Sequence, residues 1–161
     1  MENPEFLIAL HQNHACVQKN YMILLADDDP DDRELFAEAV HECGAQIECV
    51  ANGAKLMKKL RSLEELPDCL FLDLNMPEKG GKECLREIRR DERLRDLPVL
   101  IYSTSSSKRD IDDTFELGAN RYVTKPTSFS HLKKTVRELL QLDPSNIQAR
   151  PDRGAFVFAV A

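Results

Sequence analysis

Four short clusters in this 161-residue chain carry groups suited to chemistry. Three successive carboxylates, Asp27, Asp28 and Asp29, close one apolar run, and Asp73 closes another, followed by Leu74-Asn75-Met76-Pro77. The hydroxyls of Ser103 and Thr104 end a third run, and Lys125-Pro126 ends a fourth. Carboxylates held close together repel, and one must take up a proton unless a cation intervenes. Mg²⁺ is the natural cation for hard oxygen ligands that keep several waters. A lysine and a hydroxyl beside it complete a site for an anion, most simply a phosphoryl group. The chemistry depends on a fold that brings these clusters together.

Five apolar runs alternate with five helix-like stretches. The runs are Tyr21 to Ala26, Ile47 to Val50, Cys69 to Leu72, Val99 to Tyr102 and Arg121 to Thr124. Asp29-Pro30 reads as an N-cap with proline at the first helical position. Asp31 and Asp32 follow where the helix dipole favours anions. Leu35, Phe36, Ala39 and Val40 make one stripe, and Gly44 stops that helix. Leu56, Leu60 and Leu63, then Leu85 and Ile88, then Ile111 and Phe115, and finally Phe129, Leu132, Val136 and Leu139 mark the other four helices. This is an α/β (βα)5 pattern, which folds most simply as a doubly wound parallel sheet with helices on both faces. Runs one, three and four are apolar throughout, as central strands must be. Runs two and five carry Glu48 and Arg121, which suits edges. Strand order 2-1-3-4-5, the flavodoxin-like order, meets these constraints, and ligands in such sheets bind beyond the carboxyl ends of the strands.

The segments ILLADDDPDD, FLDLNMP, PVLIYSTS and GANRYVTKP, in that order and at strand ends, resemble the CheY-like response regulator receiver domains of two-component signalling. The resemblance covers roughly residues 21–142. It implies that Asp73 is the phosphoacceptor and that Mg²⁺ is held by Asp28, Asp73 and the Asn75 backbone carbonyl, with Asp27 acting through a metal-bound water. It implies that Ser103, the Thr104 backbone N–H and Lys125 bind phosphoryl oxygens. Ser103 and Tyr122 become the switch residues, and Asn75 and Ser105 tune hydrolysis. It also implies that the Lys125–Pro126 peptide is often cis. The chain departs from the common pattern at Ser103, where threonine is frequent, and at Thr104, where a smaller residue is frequent. Neither change removes a needed group.

The expected function is phosphoryl transfer from a sensor histidine kinase or a histidine phosphotransfer protein to Asp73. The expected result is a change in a surface that binds a downstream protein target. The alternative within signalling is a relay intermediate that passes the phosphoryl group on to a histidine phosphotransfer protein. A haloacid-dehalogenase-type phosphatase would need an acid where Asn75 stands. A flavodoxin-type carrier would want a hydroxyl- and glycine-rich phosphate loop where this chain has acids. The reading is therefore a signalling domain and not a metabolic enzyme.

The formal net charge of −6 argues against direct nucleic-acid binding. No apolar run is long enough for membrane insertion. Five cysteines without paired spacing read as free thiols of a cytoplasmic protein. The four histidines lack ligand spacing. Residues 1–20 read as an N-terminal extension in which Phe6, Leu7, Ile8 and Leu10 support at most a short helix, and residues 143–161 read as a C-terminal tail. Neither is long enough for a helix-turn-helix, so the expectation is a stand-alone receiver.

Overall fold

The computed structural model describes residues 20–160. Six parallel strands form one sheet in the order β2-β1-β3-β4-β5-β6. They are β1 (Met22–Ala26), β2 (Gln46–Val50), β3 (Cys69–Leu72), β4 (Val99–Ser103), β5 (Arg121–Thr124) and β6 (Val157–Phe158). Helices α1 (Pro30–Glu42), α2 (Gly53–Ser62), α3 (Gly81–Arg90), α4 (Lys108–Glu116) and α5 (Phe129–Gln141) each follow one of the first five strands. A short α6 (Pro144–Gln148) and a 3₁₀ turn (Arg153–Ala155) lead into β6. The expected order 2-1-3-4-5 is present, with one strand added at the β5 side.

Alternation along the strands builds two cores. Ile23 and Leu25 of β1 join Phe36, Val40, Phe71, Leu132 and Val136 on the face covered by α1 and α5. Leu24 and Ala26 join Leu56, Leu60, Leu85 and Ile88 on the opposite face. Strands β3 and β4 are buried along their whole length, whereas β2 is half open to solvent. Glu48 thus lies on a true edge strand. The local signals act as expected at α1. Asp29 caps it by accepting from the amides of Asp31 (2.9 Å) and Asp32 (3.3 Å), Pro30 opens it, and Gly44 leaves it at φ 78°.

Three expectations need correction. Residues 143–161 were expected as a tail, yet β6 pairs with β5 through Tyr122↔Val157 and Val123↔Phe158. The driving force is Phe156, which is fully buried in the core beside Tyr122. Strand β5 is therefore an interior strand. Arg121 is not a free edge charge, because its guanidinium donates to the carbonyls of Asn120 (2.7 Å), Asn146 (2.8 Å) and Ala149 (3.3 Å). The Lys125–Pro126 peptide is trans, as are all described peptides. The intrinsic preference for trans before proline is about 0.5–1 kcal/mol, and the loop here accommodates it.

Cys43, Cys49, Cys69 and Cys84 are free thiols. Cys16 and the apolar group Phe6 to Leu10 lie outside the described residues. No described helix is long and apolar enough to cross a membrane.

Candidate functional site

Strand pairing delivers the reactive groups to one end of the sheet. Ala26 lies beside Leu72 in the β1–β3 ladder, so Asp27 and Asp73 leave adjacent strands side by side. The Asp73 amide donates to the Ala26 carbonyl at 2.9 Å and fixes that relation. Ser103 lies beside Thr124 in the β4–β5 ladder, and the Lys125 amide donates to the Ser103 carbonyl at 2.8 Å. The start of α3 closes against Asp73. A Cβ at Gly81 would sit 2.2 Å from the Asp73 carbonyl oxygen, so only glycine permits this backbone approach.

Carboxylate oxygens of Asp27, Asp28 and Asp73 lie within 4.8 Å of one another. Asp27 and Asp73 are buried and Asp28 is exposed. Lys125 Nζ stands 2.7 Å from Asp27 Oδ2, 2.8 Å from Asp32 Oδ2 and 3.6 Å from Asp73 Oδ2. Burial pushes the Asp73 carboxyl up to about 6; Lys125 opposes this, and the charges of Asp27 and Asp28 add to it. Burial likewise raises Asp27 in spite of its bond to Lys125. Burial works against the charge on Lys125, but the bonds from Asp27 and Asp32 outweigh it and raise its pKa. Asp27, Asp32 and Asp73 thus share one lysine, with Asp28 beside them. The excess negative charge, concentrated on three oxygen donors, fits a hard divalent cation.

Ser103 is fully buried, and its Oγ accepts from the Ser105 amide at 3.2 Å. Tyr122 is fully buried, and its hydroxyl donates to the Ser105 carbonyl at 2.7 Å. The ring of Tyr122, named as a switch residue, thus lies inside the fold. The Ser105 hydroxyl is bound to Asp110 Oδ2 at 2.5 Å and lies 3.3 Å from Ser107 Oγ, at the start of α4. Lys82 of α3 bridges to Asp110 and Asp113, each at 2.7 Å. The Lys82 bond, then those from Ser105 and Ser107, hold the Asp110 carboxyl down at about 2. Asn75 and Thr104 are exposed, two residues after Asp73 and one after Ser103. The Asn75 amide lies 3.4 Å from Asp73 Oδ1.

Sequence reasoning thus named the residues of the cluster but missed three of their partners. Asp32 was read only as a first-turn acid, yet from the first turn of α1 its carboxylate reaches Lys125 at 2.8 Å. Lys82 and Asp110 were not singled out, and their pairing across α3 and α4 has no signal in the sequence.

The sequence model of the response regulator receiver domain matches residues 23–137. The chain is 36% identical over 125 residues to the probable methanogenesis regulatory protein FilR2 of Methanothrix harundinacea, covering 74% of this chain and 81% of that protein. It spans 48% of the length of other relatives, including the DNA-binding transcriptional regulator RpaA of Synechocystis. The phosphorylated cyanobacterial phytochrome response regulator RcpA superposes with a TM-score of 0.70 at 33% identity, covering 75% of this chain and 91% of that one. The Mn²⁺-bound response regulator Rcp1 gives a TM-score of 0.67 at 29% identity, covering 74% and 91%. With that family match over most of its length, and with an acidic cluster at the carboxyl end of a 2-1-3-4-5 sheet, the chain belongs to the response regulator receiver domains of two-component signalling.

Proposed function

We propose that Asp73 accepts a phosphoryl group from a phosphohistidine of a sensor histidine kinase or histidine phosphotransfer protein, in a reaction that depends on Mg²⁺. The observation that carries this reading is the convergence of Asp27, Asp28 and Asp73 within 4.8 Å, with Lys125 alongside. Asp28, Asp73 and the Asn75 carbonyl would hold the ion, and Asp27 would reach it through water. When bound, Mg²⁺ supplies positive charge that offsets repulsion between the acids and the incoming phosphoryl oxygens.

The ionised Asp73 carboxylate attacks phosphorus in line. The new bond joins a carboxylate oxygen to phosphorus. The bond from phosphorus to the imidazole nitrogen breaks, and its electron pair stays on the imidazole. Lys125 and Ser103 bind oxygens of the transferred group, together with the Thr104 amide. Asn75 and Ser105 flank the mouth of the site and set how readily water attacks the acyl phosphate. The product adds about −1.5 to −2 charge near neutral pH. The information then leaves through a protein-binding surface near Ser103 and Tyr122. Its flanking cations are locally engaged, since Lys108 pairs with Asp112, Arg109 with Asp113 and Lys133 with Glu42.

Incubation with acetyl phosphate and Mg²⁺ tests the assignment. One phosphoryl group should be added and should map to Asp73 by mass spectrometry, and Asp73→Asn should abolish it. Labelling of Asp73→Asn at the normal level would refute it.

A further inference from the structure

The C-terminal segment lies on the switch. The Tyr122 amide donates to the Phe156 carbonyl at 3.0 Å, and the two rings lie 6.2 Å apart between centroids. Phe156 also meets Phe115 of α4 edge-on at 5.2 Å. Both Tyr122 and Phe156 are fully buried, and the Phe156 ring packs against the Tyr122 ring. The rest of the segment is lightly held. Strand β6 has two residues, and Val157 on it is 39% exposed. Arg150 Nη2 donates to the Phe115 carbonyl at 2.6 Å, and Arg153 pairs with Asp112, both at the surface. One buried aromatic anchor, a two-residue strand and two exposed arginine contacts describe an element able to open locally while the rest of the fold stays intact.

We propose that residues 150–158 form a strap that locks Tyr122 in its buried position, and that strap docking and phosphoryl acceptance at Asp73 favour each other. The proposal rests on the reading of Asp73 as the acceptor. The link between the two sites is the Ser105 peptide unit. Its amide is held by Ser103 Oγ and its carbonyl by the Tyr122 hydroxyl. A phosphoryl group on Asp73 draws the Ser103 hydroxyl toward its own oxygens and frees the Ser105 amide. The Tyr122 bond is then what holds the Ser105 carbonyl in place, and it persists only while Tyr122 remains inside. The docked strap keeps it there. Linkage makes the effect reciprocal: if phosphorylation tightens the strap, the docked strap favours phosphorylation by the same factor.

Hydrogen exchange on the full chain, with and without acetyl phosphate and Mg²⁺, tests the strap, with Asp73→Asn as control. Exchange of the amides from Phe156 to Phe158 should slow about fivefold or more on phosphorylation, and should not change in Asp73→Asn. Arg153→Asp faces Asp112 with a like charge and loosens the strap at its surface contacts with Asp112 and the Phe115 ring. It should speed strap exchange and lower the steady-state phosphorylated fraction, and the exchange of charges in Arg153→Asp with Asp112→Arg should restore both. Phe156→Ala should act more strongly, with Phe156→Leu restoring much of the loss. A mapped phosphoryl group on Asp73 with unchanged or faster strap exchange would overturn the strap and leave the acceptor assignment standing. Absence of any label on Asp73 would overturn both.

Discussion

Lys125 Nζ lies 2.7 Å from Asp27 Oδ2, closer than the 3.6 Å that separates it from Asp73 Oδ2. The lysine is thus tied to the neighbour of the proposed acceptor more firmly than to the acceptor itself. In this arrangement it offsets the buried charge of Asp27 and leaves the Asp73 carboxylate less tightly engaged, as a nucleophile needs. Lys125→Met would leave Asp27 buried without its cation. The expected cost to the metal-free protein is about 3 kcal/mol, read from urea unfolding in the presence of a chelator. Saturating Mg²⁺ should recover part of it, because binding to the folded state alone stabilises that state. Equal stability of Lys125→Met and wild type without metal would contradict this role.

The Asp73 carboxyl supplies a pH dependence. Its folded value of about 6 lies above the unfolded value of 3.8, so the folded state binds the extra proton. The stability this contributes is fully present below 3.8 and is lost as pH rises through about 6. The shift corresponds to roughly 3 kcal/mol between protonation states. Metal-free protein should therefore lose stability as pH is raised across this range, and Asp73→Asn should flatten most of the slope. A residual slope of the same sign should remain, because Asp27 is also raised by burial. Mg²⁺ competes with the proton, so its apparent affinity should fall as pH drops below about 6. Titration calorimetry at several pH values checks this last point.

Asp28 differs from its neighbours because it is exposed. Asp28→Ala removes one of the crowded charges at little packing cost, so stability without metal should stay within about 0.5 kcal/mol of wild type or rise. Mg²⁺ affinity should fall by more than the roughly tenfold typical of losing an outer-shell group, and phosphoryl uptake should fall with it. An unchanged Mg²⁺ affinity would remove Asp28 from the site.

Asn120 joins the sheet to the C-terminal segment. Its Oδ1 accepts from the Val99 amide and from Arg89 Nη2, each at 2.9 Å, and its Nδ2 donates to the Gln148 carbonyl at 2.8 Å. Asn120→Ala leaves a buried strand amide and a carbonyl without partners. The expected loss is about 2–3 kcal/mol, with faster hydrogen exchange after residue 143. A loss below the error of the unfolding curve would mean that water replaces the amide.

Much of this architecture is written in the runs themselves. Strands buried on both faces must be apolar throughout, which Cys69 to Leu72 and Val99 to Tyr102 satisfy, and polar groups that end such runs emerge at the carboxyl end of the sheet, where ligands bind. Asp27, Asp73, Ser103 and Lys125 were legible for that reason. The partnership of Asp32 with Lys125 was not, because a first-turn acid that serves the helix dipole looks the same in sequence as one that binds a lysine 93 residues away. Strand β6 escaped because two paired residues carry no periodicity, and the run from Phe156 to Val160 follows Pro151 and Gly154 as a tail would. Arg121 was read as an edge charge because its carbonyl partners, Asn146 and Ala149, belong to that same unrecognised segment. The trans Lys125–Pro126 bond reflects a choice between isomers that differ by about 0.5–1 kcal/mol, too small a margin for local sequence to decide.

Position 105 offers a test of phosphoryl lifetime. The Ser105 hydroxyl is 2.5 Å from Asp110 Oδ2, and Asp110 is held at about 2 by Lys82, Ser105 and Ser107, so it is ionised throughout the neutral range. A glutamate at 105 could not share that position, since two carboxylates at such a distance repel. Its longer side chain is expected to turn toward the open mouth of the site, where Asn75 and Thr104 are exposed. There it can hold a water in line with the acyl phosphate. Ser105→Glu should therefore speed autodephosphorylation, by about a hundredfold if it reaches the low end of general-base catalysis. Ser105→Ala removes the bond to Asp110 without adding a group that can hold water, and should leave the rate within a factor of about two. Loss of label from phosphorylated protein, followed by mass after removal of the donor, measures both. A Ser105→Glu rate equal to wild type would exclude position 105 from control of hydrolysis. Equal acceleration in both variants would trace the effect to the loosened Ser105 peptide and not to the new carboxylate.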